Sequence, residues 1–403
     1  MNGSFLSNIE GKNSILKQRI LSLCINEGDY SLADLSKELN TSIPTITKMV
    51  GELIDDGFIT DMGKMELGSN GGRRPSIYGL NPSVGYFVGT EIRRSTISIA
   101  VTNFKGQLNY YQENVPFKVE NSEESFRELC TYLKTLLQNI GIPAEKVLSY
   151  GFNLSGRVNN ETGYCFSYFI GEDRPIASFL KDELNCPVFV ENDSRAMTYG
   201  EYMCGVANEE SDMLFINVSW GLGMGMITDG KLSYGKSGYS GEIGHFPLLD
   251  NEQICHCGKT GCLETGASGS AIHRTFMEKL KEGRGSALSE KATSGEDITL
   301  DDILNAANEE DVLAIEVIEE IGSVLGRAIA GLINLFNPEL VVIGGIVSKV
   351  KEYLLLPVRS AIQKHSLNLV NKDTTIKFSK LGEKAGPIGA CMLSRSKLLG
   401  LIS

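Results

Sequence analysis

Three cysteines that fall within eight positions are the residues with the clearest chemistry. The segment CHCGKTGC, residues 255–262, also holds two glycines, which permit the tight turns that aim three thiols at one point. Three converging thiolates favour Zn²⁺, and a closed tetrahedral site needs a fourth ligand. His245, ten residues before the first thiol, is the preferred fourth ligand. His256 is the rival, but it lies between two thiols, which strains the geometry. Four protein ligands predict a structural zinc ion, bound by His245, Cys255, Cys257 and Cys262.

The other six cysteines are scattered through apolar stretches. Their spacing does not match a disulfide framework, so we expect them to be small buried side chains. They are Cys24, Cys130, Cys165, Cys186, Cys204 and Cys391.

Residues 1–80, which precede the cysteine-rich segment, are predicted to form a small domain that begins with helices. Apolar residues at helical spacing predict a first helix over 14–26, Ser31 caps a second, and Ser42 caps a third that ends at Gly57. Residues 58–80 alternate as two strands around a glycine-rich tip. This order predicts a winged helix-turn-helix, in which the third helix and the tip contact DNA. The candidate DNA-binding residues are Ser42, Pro44, Thr45, Thr47, Lys48, Arg73 and Arg74.

Strand-rich blocks alternate with helices from about residue 84 onward, which predicts an α/β fold. An amphipathic stretch over 312–336 predicts a long helix that leads into the strand LVVIGG. Residues 281–298 are predicted to form an exposed connection between elements.

Bulk composition limits the functions that remain. A chain of 403 residues with 42% hydrophobic residues is long enough for two or three domains. Its net charge of −12 argues against a protein that coats nucleic acid, and residues 1–80 carry eight basic against ten acidic side chains. There is no apolar run of the roughly 20 residues that a membrane span needs, so we expect a cytoplasmic protein without membrane insertion.

Several motifs together resemble the ROK family of repressors, open reading frames and kinases. They are GEIGH (241–245) followed by CHCGKTGCLE (255–264), with LSGRVN (154–159), END (191–193), NPELVVIGG (337–345) and GPIGA (386–390). The resemblance extends from about residue 10 to the C-terminus. It implies two actin-like, ribonuclease-H-type lobes around a sugar cleft. The first lobe would span 81–195 and be rejoined by a C-terminal helix at 386–403, and the second would span 196–385 with the zinc site and a dimerisation surface.

The resemblance also implies a set of sugar-binding residues. Carboxylates and an amide suit this role because vicinal hydroxyls both donate and accept hydrogen bonds. His245 would bind zinc through one ring nitrogen and offer the other to the sugar. The implied set is Gly156, Arg157, Asn192, Asp193, Glu242, His245 and Glu264.

The two nucleotide loops depart from the pattern of the family's kinases. The first usually reads Asp-x-Gly-Gly-Thr, whereas residues 91–95 read EIRRS and lack both glycines. The second usually reads Gly-Thr-Gly-x-Gly, whereas Trp220 stands here in place of a small hydroxyl residue. Asp193, the general base in such kinases, is retained as a vestigial catalytic residue. We therefore expect no kinase activity.

The favoured function is a sugar-responsive regulator that represses carbohydrate-utilisation genes and leaves operator DNA when a monosaccharide or derivative binds. A homodimer or dimer of dimers would place two recognition helices in successive major grooves of an inverted repeat. Two alternatives stay open: an ATP-dependent sugar kinase with a DNA-binding domain, and a zinc-organised protein that binds a transport component.

Overall fold

A computed structural model describes residues 12–64, 75–168 and 174–402 of the chain. The chain divides into two compact units: Met1–Asn192 with Gly386–Ser403, and Asp193–Ala385. The helices are α1 Lys12–Asn26, α2 Leu32–Glu38, α3 Ile43–Asp55, α4 Glu123–Asn139, α5 Ile176–Leu184, α6 Asp193–Cys204, α7 Glu264–Ala267, α8 Gly269–Lys281, α9 Ser289–Thr293, α10 Leu300–Asn308, α11 Val312–Phe336, α12 Lys351–His365, α13 Asn368–Asp373 and α14 Ala385–Leu398. The strands are β1 Tyr30–Ser31, β2 Ile59–Lys64, β3 Ser76–Leu80, β4 Tyr86–Ile92, β5 Thr96–Asn103, β6 Leu108–Pro116, β7 Val147–Leu154, β8 Val158–Asn159, β9 Tyr164–Cys165, β10 Val188–Asn192, β11 Met213–Val218, β12 Leu222–Thr228, β13 Lys231–Leu232, β14 Leu340–Gly344 and β15 Thr375–Phe378.

The N-terminal part of the first unit is the winged helix-turn-helix that the sequence predicts. Ser31 and Ser42 cap α2 and α3 by accepting backbone N–H bonds from Asp34 at 3.2 Å and from Thr45 at 3.4 Å. The domain also has a three-stranded sheet of order β1-β3-β2, in which β1 lies between α1 and α2 while β2 and β3 follow α3. The tip of the wing, with Arg73 and Arg74, lies outside the described residues.

The rest of the first unit is a five-stranded sheet of order β10-β7-β4-β5-β6. Strands β4, β7 and β10 run parallel, so their carboxyl ends meet at one edge. One face packs against α4 and α5. Glycines let α14 approach the sheet closely, because a Cβ at Gly89 would lie 2.0 Å from the Pro387 carbonyl and one at Gly151 would lie 2.3 Å from the Ala390 carbonyl. The C-terminal helix is thus part of this unit's core.

The second unit is built on a sheet of order β13-β12-β11-β14-β15. The predicted long helix is α11, and Gly326 lets it press against α12, because a Cβ there would lie 2.5 Å from the Val358 carbonyl. The prediction of an exposed connection over 281–298 is only partly right, because this segment contains α9 and ends at the buried Ile298.

In the part of the chain that the structure describes, the scattered cysteines form no disulfide, and most are buried as expected. That prediction is wrong for Cys204, which is exposed at the end of α6, and Cys186 is half-buried. Among residues 12–64, 75–168 and 174–402, no helix is both long and apolar enough to cross a membrane.

Candidate functional site

The structure brings His245, Cys255, Cys257 and Cys262 together in the second unit. One ligand atom from each lies within 4.8 Å of the others. The His245 Nδ1 atom is 3.6 Å from the Cys255 sulfur, and the sulfurs of Cys257 and Cys262 are also 3.6 Å apart. Zinc bonds of about 2.0 to 2.3 Å in a tetrahedron place the ligand atoms roughly 3.3 to 3.8 Å from one another. These four side chains therefore fit a metal ion.

Tight turns in the loop aim the thiols at this point. The backbone N–H of Cys255 donates to the Lys259 carbonyl, and that of Gly258 donates to the Cys255 carbonyl, both at 2.8 Å. Gly258 and Gly261 have φ values of 84° and 75°, which favour glycine, so they have the backbone role that the sequence predicts. The backbone N–H of Lys259 also lowers the pKa of the Cys257 thiol, which favours the thiolate form.

Three of the predicted sugar-binding residues surround this cluster. Glu242 immediately precedes a 3₁₀ turn, Ile243–His245, and its carboxylate Oε2 lies 3.9 Å from His245 Nε2. With Nδ1 facing the thiols, His245 directs its second nitrogen away from the metal cluster. Glu264 opens α7, and its Oε2 atom accepts the Leu222 N–H at 3.0 Å. Glu264 Oε1 also lies 3.8 Å from the Cys255 sulfur, so both carboxylates lie beside the cysteine-histidine cluster.

Glu264 has a second partner that sequence reasoning missed in this role. His256 Nδ1 lies 2.8 Å from Glu264 Oε1. Sequence reasoning considered this histidine only as a rival metal ligand. No periodicity connects residues eight apart in a loop, so the sequence held no signal for the contact.

The remaining candidates are placed as follows. In the first unit, Asn192 donates through Nδ2 to the Gly156 carbonyl at 2.9 Å, while the side chain of Arg157 is exposed. Gly156 has φ +100°, and a Cβ there would lie 2.0 Å from the Ser167 hydroxyl, so glycine is required. In the second unit, Asp193 opens α6 and accepts the Ser194 N–H at 2.7 Å.

The position of the first nucleotide loop holds an ion pair instead of glycines. Arg93 Nη2 lies 2.9 Å from the carboxylate of Glu91, whose side chain is only 2% exposed. The same arginine donates to the Asn114 side chain at 3.3 Å.

The second loop connects β11 to β12, and its Trp220 is 54% exposed. The indole lies beside His273, with 5.7 Å between ring centroids, and the Trp220 carbonyl accepts the Ser270 N–H at 2.9 Å. This loop is therefore fixed to the start of α8.

The predicted DNA-binding residues of the first turns of α3 are all exposed, namely Ser42, Pro44, Thr45, Thr47 and Lys48. The Ser42 and Thr45 hydroxyls lie 2.8 Å apart, and the Thr47 hydroxyl donates to the Ile43 carbonyl at 2.8 Å. A capped, exposed helix start of this kind can approach a groove of DNA.

A winged helix-turn-helix joined to a two-unit α/β body with a cysteine-histidine cluster defines the class of protein. Family comparison agrees with both parts: residues 87–397 match the ROK family, and residues 14–60 match the winged helix-turn-helix DNA-binding family. The chain belongs to the ROK family.

Similar proteins include both regulators and kinases. A xylose repressor of Caldicellulosiruptor bescii is 29% identical over 96% of this chain and 98% of its own length. The crystal structure of a ROK family transcriptional regulator, a homolog of the E. coli MLC protein, has a TM-score of 0.81 and 30% identity over 96% of this chain and 97% of its own. A ROK glucokinase of Streptomyces griseus, solved with glucose and AMPPNP, has a TM-score of 0.67 and 26% identity over 77% of this chain and 100% of its own.

Proposed function

We propose that the chain is a sugar-responsive, DNA-binding transcriptional regulator, and specifically a repressor of carbohydrate-utilisation genes. The observation that carries this proposal is the capped, exposed helix α3 in a winged helix-turn-helix on the same chain as a ROK domain. Regulators such as the xylose repressor align over nearly the whole chain, whereas the glucokinase aligns over 77% of it. We assign residues 1–80 to DNA binding, 81–195 with 386–403 to the first lobe, and 196–385 to the second.

The effector is a monosaccharide or a derivative that is held by polar groups of the chain. The proposed residues grip ring hydroxyls in pairs, because carboxylates accept and the amide both donates and accepts. They are Gly156, Arg157 and Asn192 in the first unit, and Asp193, Glu242, His245 and Glu264 in the second.

The metal is a structural zinc ion. His245, Cys255, Cys257 and Cys262 would hold it, and when bound it cross-links the loop that carries Glu264 to the turn that carries Glu242. Because His245 Nδ1 faces the Cys255 sulfur, that nitrogen would hold the metal, and Nε2 would remain for a sugar hydroxyl with the tautomer fixed. Elemental analysis of the purified chain tests this assignment, with one zinc per chain as the expected result.

The DNA-bound form is a homodimer or a dimer of dimers in the cytoplasm. Two α3 helices would enter successive major grooves, and Arg73 and Arg74 of each wing would contact phosphate or the minor groove. Sugar releases DNA only to the extent that it binds better to the conformation that does not fit the operator.

Phosphoryl transfer is proposed to be lost although Asp193 is retained. Arg93 pairs with Glu91 where the kinases have glycines that let backbone N–H groups approach phosphate. Trp220 adds a large ring where a small hydroxyl residue would face the nucleotide.

The test of the main proposal is a mobility-shift titration on DNA upstream of neighbouring sugar-utilisation genes. The expected result is specific binding that weakens with one member of a panel of xylose, glucose and N-acetylated hexosamines, free and phosphorylated. Failure to bind any such DNA would remove the proposal. A coupled ADP-release assay on the same panel tests the kinase alternative, and turnover that Asp193→Asn abolishes would establish that alternative instead.

A further inference from the structure

Both carboxylate oxygens of Glu264 are held, each by a different segment. The Leu222 N–H donates to Oε2 at 3.0 Å, and His256 Nδ1 lies 2.8 Å from Oε1. The Glu264 side chain is 11% exposed, whereas that of His256 is 71% exposed. A loop histidine on the surface therefore reaches inward to fix a nearly buried carboxylate.

His256 lies in the loop that carries the thiols. It lies between Cys255 and Cys257, in a turn closed by the two backbone hydrogen bonds of 2.8 Å. Its ring is edge-on to that of His245, with 5.1 Å between centroids. The backbone turn that places the thiols therefore also places the imidazole against Glu264.

We infer that His256 is a positioning residue that orients Glu264 for the hydroxyl groups of the effector and thereby makes effector affinity depend on the metal loop. This inference rests on the proposed function, in which Glu264 binds sugar. A carboxylate with one oxygen fixed by Leu222 and the other by His256 cannot rotate away from the hydroxyl pair it must meet. Outer partners of this kind typically change affinity by about 10- to 100-fold when they are removed.

A different role for His256 is also visible in the geometry. Ligand atoms of Cys255, His256 and Glu264 lie within 4.8 Å of one another, so these residues form a second possible metal group. The two roles predict different zinc contents in a variant that lacks His256. Removing a positioning residue leaves the zinc in place, whereas removing a ligand does not.

The experiment uses the full chain, four single variants and one double variant. His256→Ala removes the ring, and His256→Asn keeps an N–H donor near the position of Nδ1. Thr260→Ala is the matched control, because Thr260 is exposed on the same loop. Glu264→Ala serves for a double-mutant cycle with His256→Ala. Zinc is measured by elemental analysis, and sugar affinity by titration calorimetry and by the fluorescence of Trp220, the only tryptophan of the chain.

We expect His256→Ala to keep its zinc and its operator affinity while its Kd for the sugar rises by about tenfold. His256→Asn should recover most of that loss, and Thr260→Ala should match the wild type. In the Glu264→Ala background, loss of His256 should have no further effect, which a general loosening of the loop would not produce.

Two results overturn the inference alone: unchanged sugar affinity in His256→Ala, or loss of zinc in that variant, which would make His256 a ligand. A wild-type chain that binds no sugar of the panel would instead overturn the proposed function itself.

Discussion

Replacing Phe104 by alanine should separate DNA binding from the sugar response. Phe104 is 1% exposed and lies between the winged domain and the first lobe. Its ring is 5.5 Å from that of Phe58 in the winged domain and 6.2 Å from that of Phe87 in the lobe. The same junction has a Lys105–Asp29 ion pair at 3.0 Å and a hydrogen bond of 3.3 Å from Gln18 to the Leu399 carbonyl, beyond α14.

The expected change in free energy follows from dividing the cost of truncating Phe104 between the two rings that it contacts. Truncating a buried phenylalanine costs about 3 to 5 kcal/mol in total. Since the ring contacts both sides, about 2 kcal/mol should come from the contact with Phe58, which raises the undocked population about 30-fold. The Lys105–Asp29 pair is 27% and 29% exposed at its side chains, so its loss should cost less than about 1 kcal/mol.

The assay is the ratio of operator affinity without and with sugar. In Phe104→Ala this ratio should fall towards one. Operator affinity without sugar, and sugar affinity measured by Trp220 fluorescence, should stay close to wild type. Phe58→Ala truncates the partner ring without creating a cavity in the lobe, so it should lower the ratio as Phe104→Ala does. Lys105→Ala should keep the wild-type ratio. Wild-type sugar responses in both phenylalanine variants would refute the idea that this junction carries the signal.

Three further outcomes are expected. Lys48→Ala should weaken binding to all DNA sequences by a similar factor and lower the salt dependence by about one unit, as for a phosphate contact; loss of binding to one sequence alone would contradict this. Cys262→Ala should abolish bound zinc and lower the unfolding temperature, whereas the exposed-cysteine control Cys204→Ala should retain both; zinc in the first variant would exclude that ligand. Burial alone would raise the pKa of Asp302, but hydrogen bonds from Lys291 and Thr299 lower it from 3.8 to about 2. This carboxylate therefore stabilises the fold above pH 3.8 and loses that effect as the pH falls towards 2. Asp302→Asn should therefore cost about 1 to 2 kcal/mol at pH 7 and roughly half as much at pH 3 in urea unfolding, and a cost independent of pH would contradict the assignment.

Local sequence signals were enough for the elements whose ends are set by short-range chemistry. Ser31 and Ser42 cap the helices they were expected to cap, and the long amphipathic pattern gave α11 at the predicted residues. The metal cluster also followed from spacing, because glycine turns bring thiols together within a few residues. In contrast, β6 and β15 have no fully buried residue, so neither has a strong apolar signature from which the sequence could predict it.

Contacts made across the fold could not be predicted in this way. The packing of Phe104 depends on which segments become neighbours in the fold, whereas the Glu91–Arg93 and His256–Glu264 contacts depend on how the chain turns locally. Residue types alone indicated that residues 91–95 depart from the glycine-rich pattern of the family's kinases. Only the three-dimensional arrangement places the arginine against the buried carboxylate.

A winged domain with little net charge suits a regulator that must leave DNA. Residues 1–80 have eight basic and ten acidic side chains, so sequence-independent attraction to phosphate is weak. In the proposed dimer, operator affinity then depends on both recognition helices meeting their half-sites at the correct spacing. Misplacing one helix removes a large share of the DNA-binding free energy. A coupling free energy of about 1 to 3 kcal/mol between sugar binding and DNA binding is therefore sufficient to release the operator. A strongly basic domain would hold DNA more tightly after the same displacement, so we expect the near balance of charge to favour control by a small ligand.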